Sequence, residues 1–229
     1  MTIDLAVRLS EILMALAWLA HSAEHLTAPW AERRLFIARM PLAALLLFAV
    51  RPAITEAALL LVNLAILRRF QGPYNGGSGR MGLLLLMCLL AFHVAGQALW
   101  REVAIGYLAV QVVLSYAVSG WAKLANPEWR NGRALRDVFE FSAYPVSESL
   151  RAWSAAPRPL LVLSWMTVGF EAAFPLSLLS STALEAGLIV AALLHVANAF
   201  VFGLNRFLWM WLASYPCLMW FQQRVVSGF

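Results

Sequence analysis

The stretch VAIGYLAVQVVLSYAVSGWAKLANPEW, Val103 to Trp129, opens with twenty residues that carry no charge, bounded by Glu102 and Lys123. At 1.5 Å per residue, twenty helical residues cover ~30 Å, the thickness of a bilayer's hydrocarbon core. The run ends at a defined point. Pro127 cannot donate a backbone N–H and drives the preceding Asn126 toward an extended conformation, so the helix cannot simply continue. Lys123 therefore sits at the rim of a membrane span. It is the only lysine among 17 basic residues. An arginine holds its proton under all conditions a protein meets, whereas an apolar site pushes a lysine toward the neutral amine, which is a base. The competing explanation is codon bias that favours arginine and leaves one lysine by chance.

The rest of the composition agrees with a membrane fold. Hydrophobic residues make up 62% of the 229 residues, charged residues 13%, and the mean hydropathy is +0.74. Soluble domains average roughly 45–50% apolar and about 25% charged. The reading is an all-α polytopic transmembrane helical bundle forming one integral-membrane domain over residues 1–229. About eight apolar runs approach spanning length, near 4–21, 35–50, 53–67, 81–99, 103–122, 159–180, 184–204 and 206–222. The second and third are short and joined by little more than Arg51-Pro52, so a tight hairpin that stops short of the far surface is the alternative there. The first run carries Asp4, Arg8 and Glu11 and reads as a span, not a removed signal. Cys88 and Cys217 form no CxxC pair and lie inside apolar runs, which argues against thiol–disulfide chemistry. The net charge of +5 is carried by residues that cap apolar runs, so it points to loops facing the cytoplasm and not to nucleic acid.

With eight spans, thirteen of the basic residues fall on one side and only Arg8, Arg51, Arg101 and Arg224 on the other. Basic residues near span ends stay cytoplasmic, so both termini are expected outside, in a bacterial cytoplasmic membrane. The segment 124–158 then faces the cytoplasm. Its core, RALRDVFEFSAYPVSESLRAW, mixes Leu135, Val138, Phe139 and Leu150 with charges and reads as interfacial helix broken at Pro145.

The residues around Lys123 also resemble a known family signature, that of the vitamin K-dependent γ-carboxylase-like or HTTM (horizontally transferred transmembrane) domain. In it a Gly-x-x-Lys-Leu near a helix end is followed by a Trp and then Gly-x-x-Leu. Those positions are Gly120, Lys123, Leu124, Trp129, Gly132 and Leu135. NGGSGRMGLLLLM, HVANAFVFGLNRFLWMWLASYP and EAAFPLSLL resemble the same family. The resemblance implies that Lys123 is the base that deprotonates a reduced isoprenoid quinone, vitamin K- or menaquinol-like, which then reacts with oxygen. The NGGS turn lacks the histidine and polar groups of the carboxylases, and with the chain ending at Phe229 their large β-rich portion is expected to be missing. The resemblance therefore favours quinol oxidation or epoxidation with oxygen over glutamate carboxylation, which stays the less favoured carboxylase-like alternative.

Other polar residues gain meaning from depth. At 1.5 Å per residue, His93 and Glu171 lie ~18 Å into their runs and His195 ~14 Å into its own. An ionisable group at mid-membrane costs at least ~2.5 kcal/mol, so all three are expected inside the bundle, as catalytic candidates beside Lys123. Asn198 stands one turn from His195 and Gln97 one turn from His93. Trp121, Trp129, Asn198 and Arg206 are candidate substrate contacts, although tryptophans at such depths are more often anchors or packing. HSAEH places His21, Glu24 and His25 in a His-x-x-Glu-His pattern, a possible metal set; the alternative is a helix end whose dipole favours histidine.

The functional reading is a membrane enzyme using lysine general-base chemistry on a quinol-like or other amphipathic substrate with oxygen. Its partners are the lipid bilayer and an amphipathic small molecule or small peptide. Two alternatives stand beside it: a non-catalytic membrane subunit or maturation factor, and a histidine-based metal-dependent membrane enzyme. The orientation is tested by reporter fusions. A C-terminal fusion should be active only outside the cytoplasm, and cytoplasmic activity would mean the span count is off by one.

Overall fold

The computed structural model describes residues 1–69, 77–141 and 147–226. These form α1 (Ile3–Glu24), α2 (Trp30–Leu47), α3 (Pro52–Arg69), α4 (Gly77–Val94), α5 (Ala98–Ala125), α6 (Pro127–Arg130), α7 (Arg133–Phe141), α8 (Pro157–Ala173), α9 (Ser181–Phe202) and α10 (Asn205–Phe221). Two 3₁₀ segments, Glu148–Ala155 and Phe174–Leu179, and a π turn at Gln222–Val226 complete the described chain, which has no strand. Residues 70–76, which include the start of the NGGS stretch, and Pro145 lie outside the described residues.

Among the described residues, four helical stretches are long and apolar enough to cross a membrane: α4, α5, α8 with its 3₁₀ extension to Leu179, and α9. Helix α2 carries Arg33, Arg34 and Arg39, α3 carries Glu56, Arg68 and Arg69, and α10 is 17 residues long. The run expected at 81–99 is divided. Helix α4 stops at Val94 and α5 starts at Ala98, with Gly96 in the turn between them. His93 therefore stands next to a helix end and not at mid-span, and Gln97 is outside the helix that holds it.

The chain resolves into two compact units, Met1–Val110 with Trp209–Gln223, and Gln111–Leu208 with the terminal segment. In the first unit α1 packs on α2, α2 on α3 and α3 on α4. Ala6, Met14, Leu59, Leu85 and Leu89 are fully buried between them. The α2–α3 turn is tied from two directions. Arg8 of α1 donates to the Leu46 and Leu47 carbonyls at 3.0 and 2.5 Å, which satisfies carbonyls that the end of α2 leaves without helical partners. From the other side Thr55 Oγ1 donates to the Val50 carbonyl at 2.7 Å. Ala49 and Arg51 hold φ of 55° and 44° in this turn, the left-handed region that non-glycine residues rarely adopt. Arg39 is 1% exposed and donates to Ser22, Asn63 and the His21 ring at 2.9–3.1 Å.

In the second unit one glycine decides a helix contact. A Cβ on Gly120 would lie 2.2 Å from the backbone nitrogen of Ala172, so α5 and α8 approach backbone to backbone there, as small residues permit in membranes. Asn126 is extended, at φ −86° and ψ 118°, and its side chain accepts from Glu128 N–H to start α6. Ser164 donates to the Trp129 carbonyl and Trp165 Nε1 to the Arg130 carbonyl at 3.0 Å, fastening α6 to α8. Gly132, at φ +77°, turns the chain where a Cβ would press on the Leu161 backbone at 3.0 Å. Helix α7 is amphipathic. Phe139 is buried against Trp153 and Phe202, and Arg133–Asp137 and Arg136–Glu140 pair along the exposed face.

Gly120→Ala is expected to lower the thermal unfolding midpoint in detergent by the equivalent of about 1–3 kcal/mol, the usual cost of overpacking. Gly169→Ala, where a Cβ meets nothing within 4 Å, is the control and should be neutral or stabilising by up to about 1 kcal/mol. Equal midpoints for the two variants would contradict the close approach.

Candidate functional site

Tyr116, Gly120 and Lys123 follow one another at four and three residues along α5 and so share a helix face. The backbone approach at Gly120 brings Ala172, and with it Glu171, against that face. Lys123 Nζ donates to a Glu171 carboxylate oxygen and, at 2.7 Å, to Ser119 Oγ. The lysine and glutamate side chains are 18% and 11% exposed. The Trp129 ring lies 5.1 Å from Nζ, within cation–π range. The signature residues thus divide the construction of the site among them. Gly120 lets α8 in, Lys123 meets its carboxylate, Trp129 covers the ammonium, and Gly132 turns the chain back onto α8.

Tyr116 OH and His195 Nε2 lie 2.8 Å apart, both groups buried. The Tyr116 ring packs on Phe170 and Phe174 at centroid distances of 6.0 and 4.2 Å. Those two phenylalanines also line a groove of about 240 Å³, with Ala173, Ser177, Gly187 and Val190. The groove is apolar apart from Ser177, whose buried hydroxyl has no hydrogen-bond partner among the described residues. Glu171 lies between Phe170 and Ala173 in sequence, so the ion pair, the Tyr116–His195 pair and the groove belong to one stretch of α8 and its neighbours.

The structure brings Lys123, Glu171 and Trp129 together. His195 is reached through Tyr116, which the sequence reading missed although its spacing of four residues to Gly120 and seven to Lys123 was a usable signal. Trp121 is 62% exposed and, two residues from Lys123, points off the opposite face of α5. Asn198 contributes its carbonyl to the α9 cap, accepting from Leu204 N–H at 3.3 Å, while Gly203 holds φ 68°. Arg206 stands in the first turn of α10. His93 lies in the first unit, with Nε2 2.5 Å from Glu11 Oε1. His93, Glu171 and His195 accordingly have three separate partners. In HSAEH the histidines serve other contacts. His21 Nδ1 accepts from Arg39, and His25 Nδ1 lies 3.0 Å from the His21 carbonyl with its ring stacked on Phe36. The metal-capable group found among the described residues includes neither of them, nor Glu24.

The HTTM domain model matches residues 93–222, more than half of the chain and the whole of the ion-pair site. The chain belongs to the HTTM domain family. No curated protein and no solved structure matches it. Among HTTM residues, Lys123 and Glu171 are the pair whose disruption is easiest to read. Glu171→Gln should leave an ammonium short of its counter-charge and cost about 3 kcal/mol, toward the low end for breaking a buried pair because both groups keep some exposure. The double variant Lys123→Met with Glu171→Leu should recover most of that loss. Melting of the detergent-purified variants measures both, and additive losses in the double variant would mean the two side chains do not interact.

Proposed function

We propose that this HTTM protein is a membrane enzyme in which the Lys123–Glu171 pair removes a proton from the acidic hydroxyl of an amphipathic, quinol-like substrate, with oxygen as the second reactant. The observation that carries the reading is the pairing of the single lysine of the chain with a buried carboxylate on α8. In a low-dielectric site an ion pair and its neutral amine–carboxylic acid form are closer in energy than in water, because the neutral form avoids the desolvation of two charges. Shifting the Lys123 proton onto Glu171 produces the free amine without releasing a charge into the bilayer. The amine then accepts the substrate's hydroxyl proton. The restored ammonium stands beside the negative charge that develops, covered by Trp129. Proton transfer by a positioned side chain contributes roughly 10²–10⁴-fold in rate.

The groove residues fit a flat ring with an oxygen substituent. Phe170 and Phe174 offer aromatic walls, and rotation of the Ser177 side chain, whose hydroxyl is buried and unpartnered among the described residues, would bring one polar contact into an apolar lining. A bound hydroquinone would supply the reducing power for reaction with oxygen. The chain's residues orient the ring, keep water from the pair and hold the proton at Lys123 Nζ or Glu171. Tyr116 and His195 form a second hydrogen-bonded pair against the same phenylalanines and are assigned to positioning them. For the membrane frame, we infer that α1, the α2–α3 hairpin and α10 add to the four long apolar stretches to give about eight spans, with both termini outside and residues 124–158 at the cytoplasmic surface.

Lys123→Arg keeps the positive charge and the ion pair but cannot become a neutral base. It should fold and insert normally while losing about 10²–10⁴-fold in turnover. The assay is oxygen consumption and quinone oxidation by the purified protein in lipid discs loaded with reduced menaquinone. Turnover in Lys123→Arg equal to wild type, or none in wild type, would overturn the proposal.

A further inference from the structure

Away from the ion-pair site, in the first unit, three helices aim a donor at one point. Glu11 on α1, Glu56 on α3 and His93 on α4 each present a side-chain ligand atom within 4.8 Å of the others. His93 Nε2 is 2.5 Å from Glu11 Oε1 and 3.8 Å from Glu56 Oε1. Two of the three, Glu11 and Glu56, precede the segment that matches the HTTM family.

Glu56 is the residue that needs explaining. It is 0% exposed, and among the described residues neither of its carboxylate oxygens has a hydrogen-bond partner. An apolar residue would avoid that cost, since a buried polar group without a partner is destabilising and an isolated carboxylate far more so. Glu11 is held differently. Its Oε2 accepts from Arg8 Nη1 at 2.8 Å, and Arg8 is itself anchored on the last carbonyls of α2. That arrangement fixes the Glu11 carboxylate with Oε1 toward His93 and Glu56, the kind of outer support that orients a metal-binding carboxylate.

We propose that Glu11, Glu56 and His93 bind one divalent transition-metal ion. One imidazole nitrogen and two carboxylates form the mixed N/O donor set that Zn²⁺, Fe²⁺ and Mn²⁺ accept. Bonds of ~2.1 Å in a tetrahedral arrangement place ligand atoms ~3.4 Å apart. The present separations of 2.5 and 3.8 Å straddle that value, so the ion enters with small side-chain rotations. His93 then gives its Nε2 lone pair to the ion instead of sharing a proton with Glu11. The two carboxylate charges balance the dication, and Glu56 gains the partner it otherwise lacks. Three protein ligands leave a coordination position open for water or another small ligand, and the partly exposed His93 side chain, at 22%, marks the side from which the ion arrives.

The experiment measures metal binding in the full-length detergent-purified protein, so its outcome does not depend on the quinol reading. Metal content is determined by mass spectrometry as purified, then after chelation and titration with Zn²⁺, Mn²⁺ or Co²⁺, with melting followed in parallel. The expected result is one equivalent of ion, a rise in melting midpoint on adding it, and Co²⁺ absorption bands of a low-coordinate N/O site. Glu56→Gln should weaken the affinity on the order of 10-fold or more, while Lys123→Arg should bind like wild type. Should Glu56→Gln fail to fold, the Co²⁺ spectrum and stoichiometry of wild type still decide. Wild type well below one equivalent with every ion would overturn the proposal, as would Glu56→Gln binding as tightly as wild type.

Discussion

The second unit depends on one close approach. Because Gly120 has no side chain, α8 reaches the α5 backbone at Ala172, and the neighbouring Glu171 arrives within hydrogen-bonding distance of Lys123. Lipid supplies no hydrophobic driving force between two apolar helices, so close packing and interhelical polar bonds must hold them. Here both occur within one helical turn. The contact and the ion pair are consequently inseparable: what lets the helices touch also sets the distance between the two ionisable groups. The α6 turn then adds Trp129 above the ammonium, secured through backbone carbonyls to Ser164 and Trp165.

Much of this was legible in the sequence because the signals were local. Twenty uncharged residues followed by Lys123 and Asn126-Pro127 gave the helix and its end, and the Gly-x-x-Lys pattern gave the family. Lys123 stood out as the only lysine, at the end of a span, and His93, Glu171 and His195 as candidates from the cost of placing polar groups in a bilayer. Their partners did not follow, because pairing depends on which faces of distant helices meet. Tyr116 went unnoticed since a tyrosine in an apolar run looks like an anchor until its spacing to Gly120 is counted. The depth assigned to His93 failed because the presumed continuous run is two helices, α4 ending at Val94 and α5 starting at Ala98.

The first unit shows the same limit from the other side. Glu56 lies in a stretch dominated by Leu, Ala and Ile, and the argument applied to Glu171, that a carboxylate inside an apolar run must serve some purpose, applied to it equally. Glu11 was read as one more charge in the first helix. Only the packing of α1 to α4 reveals that the two share a point with His93, and that HSAEH, the more conspicuous motif, is occupied in joining α1 to α2 through Arg39 and Phe36.

The turn between α2 and α3 carries a mechanical consequence. Ala49 and Arg51 occupy left-handed backbone conformations, each at an expense of roughly 1–2 kcal/mol for a residue with a Cβ. Glycine at either position would relieve it, yet the chain keeps the bend wound tight with one guanidinium on the α2 carbonyls and one threonine hydroxyl on the Val50 carbonyl. Stability in this unit is therefore unevenly distributed. One of the two clasps, Arg8, also holds Glu11, and the arm beyond the bend carries Glu56, so the tightness of this turn and the spacing of those two carboxylates rest on the same residues.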